Sequence, residues 1–89
     1  MTPALREQFR LKLLQLVDTA GAVGMRAAAI DTHLAAHGYE HSEYEMKAEI
    51  AYLTDKGLVA QVDKVLSPEN KRWRVTAAGR DFLAEQGLG

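Results

Sequence analysis

The chain contains no cysteine. No disulfide framework, thiolate metal site or cysteine nucleophile can be built from it, and a reducing compartment, the cytoplasm by default, is the expected setting. Long apolar runs are missing too: stretches such as Leu13 to Val17 are broken by a polar residue every few positions, far short of the roughly 20 apolar residues that span a bilayer. Met1 to Arg10 shows neither the basic start nor the apolar centre of a secretory signal, so a soluble protein with no membrane partner is expected. Net charge is almost absent, since 12 acidic residues against 11 Lys and Arg leave −1. Any attraction to a polyanion must therefore come from where the charges lie. The common marks of catalysis are lacking as well: there is no glycine-rich phosphate loop, no G-x-S-x-G and no pair of carboxylates distinct from ordinary helix charges. Neither an enzyme nor a bound cofactor is expected.

What remains is a chain of 89 residues, 47% apolar and 26% charged, suited to one small domain over residues 1–89. Thr2 followed by Pro3 reads as an N-cap with proline at the first helical position, and Leu5, Phe9, Leu13, Leu16, Val17 and Ala20 recur at helical spacing, which predicts a first helix from about Pro3 to Ala20. Gly21 and Gly24 end it, and Ala22 to Met25 has room only for a brief extended segment. A second helix is predicted from about Arg26 to His37, with Ala28, Ile30, Leu34 and Ala35 as candidates for burial and Gly38 as its left-handed stop. Ser42 and Glu45 make the S-x-x-E capping box that opens a third helix. Met46, Ile50 and Leu53 form its apolar stripe, and Gly57 closes it.

After Gly57 the period shortens to about two residues. Leu58, Ala60 and Val62 alternate with Val59, Gln61 and Asp63, and Lys71, Trp73 and Val75 alternate with Arg72 and Arg74, which predicts two strands. Ser67, Pro68, Glu69 and Asn70 supply the turn of a hairpin between them. Thr76 caps a short last helix, about Ala77 to Gln86, whose Phe82 and Leu83 can return to the core. The residues Ser42, Met46, Ile50 and Leu53, then KGLV at 56–59 and WRVTAAGRDFL at 73–83, together resemble the winged helix-turn-helix pattern of small bacterial and phage transcription regulators, closest to the short winged-helix proteins of Mu-like prophages. The resemblance implies an α+β, mostly α fold: a three-helix core, a two-stranded hairpin wing and a C-terminal helix. Its implied partner is double-stranded DNA, with the third helix in the major groove and the wing on the backbone.

Three sets of residues compete for a role. His33, His37 and His41 lie close together with Glu40 and could offer zinc two or three ligands. The zinc-hydrolase pattern, however, wants glutamate where Leu34 follows His33, and the simpler expectation has His37 at a helix C-terminus and His33 and His41 in water, with no metal. The third helix turns Tyr44, Ala48, Ala51 and Asp55 away from its apolar stripe, with Lys47 and Tyr52 flanking. From Tyr39 to Gly57, five acids face two lysines, a poor recognition surface on its own. The hairpin is the reverse: Lys64, Lys71, Arg72 and Arg74 face only Glu69. Arg72 and Arg74 share a strand face with Trp73 turned the other way. The candidate DNA-binding residues are thus Arg26, Ser42, Tyr44, Lys47, Lys64, Lys71, Arg72 and Arg74. Plainer roles compete: a helix cap for Ser42, pairing with a glutamate of the third helix for Arg26, and pairing with Asp63 for the hairpin arginines. A protein-binding adaptor using Tyr44, Glu45 and Glu49 is the alternative class. Leu11 and Leu14, lying off the first helix's stripe, suggest contacts with the last helix through Phe82 or Leu88, or a homodimer through the first and last helices.

Overall fold

The computed structural model describes residues 1–62 and 70–88. Four helices and a small antiparallel sheet follow one another as α1 (Pro3–Thr19), a 3-10 turn (Gly21–Val23), β1 (Met25–Arg26), α2 (Ala27–Ala36), α3 (Glu43–Asp55), β2 (Val59–Gln61), β3 (Arg72–Val75) and α4 (Ala77–Glu85). The chain is α+β and mostly helical. Its expected helices all form, each shifted at its ends by no more than a residue. Local chemistry explains the starts: the Thr2 hydroxyl accepts from the Leu5 N–H, Ser42 and Glu45 form a complete capping box, and the Thr76 hydroxyl accepts from the Gly79 N–H.

Three strands build the sheet where two were expected. β3 is central, with β2 on one side and β1 on the other, both antiparallel to it. Of the extended segment expected over Ala22 to Met25, Ala22 and Val23 instead belong to the 3-10 turn, and the strand is Met25 with Arg26, the residue expected to open α2, Met25 lying opposite Trp73 and Arg26 opposite Arg72. Of the expected hairpin turn, Ser67, Pro68 and Glu69 lie outside the described residues. The alternation of Leu58, Ala60 and Val62 does not give the inner face of β2. Val59 is its buried residue, because the register sets it opposite the buried Val75. Leu58 precedes the strand, where its carbonyl accepts from the Thr76 N–H.

The core gathers Phe9, Leu13, Leu16 and Val17 of α1, Ile30 and Leu34 of α2, Met46, Ile50 and Leu53 of α3, Val59 and Val75 of the sheet and Leu83 of α4. Leu14 belongs with them, at 0% exposure. Helix α1 packs against α2, β3 and α4, so a wider stripe is covered than one neighbour would require. That removes Leu14 from any outward face and leaves the half-buried Leu11 and Phe82, which line one surface depression, and the exposed Leu88 of the apolar residues assigned to a contact between the first and last helices or a dimer. Leu5, one turn from the helix start, is exposed instead of buried. On α2 the inward positions beside Ile30 and Leu34 are Ala27 and Ala29, while Ala28 and Ala35 face outward. Among the described residues no helix is long and apolar enough to cross a membrane.

Candidate functional site

Helix α3 presents the face its periodicity predicts. Met46, Ile50 and Leu53 are buried, and Tyr44, Lys47, Ala48, Ala51, Tyr52 and Asp55 are exposed. Its three glutamates, however, are engaged one by one within the chain. Glu43 lies 2.9 Å from the Lys47 ammonium one turn on. Glu45 accepts from the Ser42 backbone N–H at 2.9 Å, which holds its carboxyl below the usual glutamate range. Glu49 is buried at 8% exposure and accepts from Arg10 Nε at 2.8 Å. The same Arg10 guanidinium lies 3.9 Å from the centre of the Tyr52 ring, a cation–π contact that seats its plane against α3. The expected acidic flank of α3 therefore is not free: Glu45 closes a cap and Glu49 ties α3 to α1.

Ser42 has a plain duty as well, since its hydroxyl accepts from the Glu45 N–H at 3.0 Å. Tyr44 is 81% exposed and borders a surface depression with Met1, Arg6 and Ala48. Lys47 is exposed, and among the described residues its ion pair is with Glu43 alone.

The sheet divides the remaining cations between its two faces. Arg72 and Arg74 are two residues apart, and Arg26 is the cross-strand partner of Arg72, so all three arginines lie on one face. Met25, Trp73 and Val75 occupy the other face, toward the core. Lys71 follows Trp73's side and lines a groove with it, Lys47 and Ala51 of α3. The seven described candidate residues thus form no single patch. Arg26, Arg72 and Arg74 are together, Lys47 and Lys71 border a second place, and Ser42 and Tyr44 stand at the start of α3. Lys64 lies outside the described residues, as does Asp63, the expected partner of the hairpin arginines. Among the described residues Arg26, Arg72 and Arg74 make no ion pair, so the pairing of Arg26 with a glutamate of α3 does not occur.

The histidines separate. His33 and His37 are exposed, His37 as the C-cap of α2. His41 is not in water: its side chain is 3% exposed, 5.3 Å ring to ring from Phe9. Its Nδ1 lies 3.1 Å from the Tyr39 carbonyl and its Nε2 2.6 Å from an Asp31 carboxylate oxygen. His41 braces the corner between α2 and α3, and among the described residues no three His, Asp or Glu side chains are grouped to hold a metal ion.

No protein-family model matches the chain, and no curated protein matches it.

Arg10, Asp31 and Gly79 were missed as organising residues. Asp31 and Arg10 carry no local signal, because their partners are 10 and 39 positions away. Gly79 did carry one: a glycine inside a predicted helix usually marks close packing.

Proposed function

We propose that the protein binds double-stranded DNA as a small winged helix-turn-helix regulator of the bacterial and phage kind, acting in the cytoplasm. In this assignment α2 and α3 are the helix-turn-helix, α3 enters the major groove, and the strand pair β2 and β3 with their connection is the wing on the flanking backbone.

A single observation carries the proposal: the placement of Arg26. It is the N-cap of α2, where Ser, Thr, Asp or Asn would accept a free backbone N–H, and it makes no side-chain cap bond. Its positive charge sits at the positive end of the helix dipole. It also lies directly across the sheet from a second arginine, Arg72, and like charges so placed repel. Three independent effects oppose an arginine there, and none of them is offset by an acid among the described residues. A line of phosphates laid along Arg26, Arg72 and Arg74 would reverse all three. The exposed Ala48 and Ala51 support the assignment of α3, since small side chains let a helix approach a groove closely.

The competing adaptor function loses its main support, because Glu45 and Glu49 are engaged inside the chain. Fluorescence anisotropy with a mixed-sequence labelled duplex at low salt tests the proposal. Binding that weakens steeply as salt is added is expected, and the Arg72→Ala, Arg74→Ala double variant should weaken it for all sequences alike. Absent or salt-insensitive binding would overturn it.

A further inference from the structure

Trp73, the chain's one tryptophan, points to the core side of β3 but is only half-buried. Its inward neighbour Val75 is fully covered, whereas Trp73 lies one step nearer the end of the sheet and walls a groove instead of filling the interior. The groove has a volume of about 410 Å³, within the range of small-molecule sites. Ile50 and Ala51 of α3 form its other wall, Ala27 of α2 contributes to its lining, and Lys47 and Lys71 border it. Two features make the space: Ala27 and Ala51 are too small to fill it, and the large flat indole opposite gives it an apolar face.

We propose that this groove binds a small organic acid, an aromatic or branched apolar body carrying one carboxylate. The apolar body lies on the Trp73 indole against Ile50 and Ala51, and the carboxylate is held by Lys47 and Lys71. The lysines select the sign of the ligand: Lys47 and Lys71 border the groove with Asp55, and the pair of Lys47 with Glu43 is an exposed contact one helix turn apart, of the weak kind that a bound carboxylate would replace. An uncharged apolar molecule would leave both ammonium groups without a new partner, and a cation would be repelled. Its volume limits the ligand to a body of one or two rings. Arg26, Arg72 and Arg74 lie on the opposite face of the sheet and take no part in this site, whereas Lys47, Ala51 and Lys71 belong to the surface assigned above to DNA, so ligand and duplex would compete for it.

The single tryptophan makes the test direct. We would titrate the full chain with 4-tert-butylbenzoate and with its neutral amide, exciting the indole at the red edge where neither probe absorbs. A saturable change in Trp73 emission with the carboxylate, and at least fivefold weaker binding of the amide, is the expected result. Lys47→Ala and Lys71→Ala should each weaken carboxylate binding roughly two- to fivefold, as for exposed ion pairs. Ala51→Leu fills the groove from an exposed helix position and should abolish the response while the far-ultraviolet spectrum and thermal midpoint stay those of a folded chain. Arg72→Ala with Arg74→Ala should leave it unchanged, which separates this site from the arginine face of the sheet. Non-saturable emission, equal binding of acid and amide, or an undiminished response in Ala51→Leu would overturn the proposal.

Discussion

Two residues, Gly79 and Arg26, show opposite relations between sequence and stability. Gly79 is buried inside α4, and a Cβ built there would collide with the Leu58 carbonyl oxygen and with Val75 Cγ1. The backbone carbonyl cannot swing aside, because it accepts the Thr76 N–H that starts α4. Gly79→Ala gains helix propensity yet should destabilise the protein by roughly 2–3 kcal/mol, the usual penalty of overpacking, read as a lower urea midpoint at unchanged slope. Arg26 is the converse: Arg26→Asp supplies the missing cap acceptor to α2, suits its dipole and relieves the repulsion of Arg72. It should stabilise the fold by about 1 kcal/mol, a rise of roughly 4–8 °C in Tm, while weakening DNA binding. A variant that lost stability would remove the claim that this arginine is held against the interest of the fold. At this scale the sequence showed that Arg26 was available but not why it mattered. Its cross-strand partner is 46 positions away, a distance no local pattern encodes.

Among the elements, those whose ends are fixed by neighbouring residues were legible and those fixed by distant ones were not. The Ser42 and Glu45 box and the Thr76 cap each act within three positions, and the starts of α3 and α4 followed from them. β1, two residues long, exists only because β3 offers it an edge, and the inner face of β2 is set by its register with Val75 and not by its own alternation. The reach of α1 into the core was likewise underestimated, since burial of Leu14 depends on how many elements close around the helix. The capping box makes its own prediction about pH. Glu45 has a lower pKa in the folded chain than in the unfolded one, chiefly because its carboxylate accepts from the Ser42 backbone N–H. The unfolded state therefore takes up the proton first as pH falls. The contribution of the box is complete above the ordinary glutamate range and is lost as pH drops through the depressed folded value. Chemical denaturation at a series of pH values should show wild type losing stability across that interval. Glu45→Gln should lose less there, and an identical pH profile for the two chains would rule out this role for the ion.

For the molecule as a whole, an almost neutral chain can hold a polyanion only if its acids are kept away from its cations, and the fold does much of this sorting. Glu49 is drawn inward by Arg10, Glu45 is folded into a cap, and three arginines collect on one sheet face. None of that follows from the net charge of −1, which is why composition left the partner open while the positions of the charges favour DNA. The exceptions on α3 are Asp55, exposed and without an ion pair among the described residues, and Glu43, exposed and paired to Lys47. Glu43 allows the two halves of the proposed interface to be tested apart. If Arg26, Arg72 and Arg74 each neutralise one phosphate, the logarithm of the association constant should fall with the logarithm of salt at a slope near −2.7, about 0.9 per contact, and removing Arg72 and Arg74 should leave about −0.9. If α3 also faces the duplex, Glu43→Gln frees Lys47 and deletes a repelling charge at the same surface, so affinity should rise and the slope should steepen by up to about one contact. An unchanged slope and affinity in Glu43→Gln, beside a clear loss in the arginine variants, would place DNA on the sheet alone and leave α3 out of the groove.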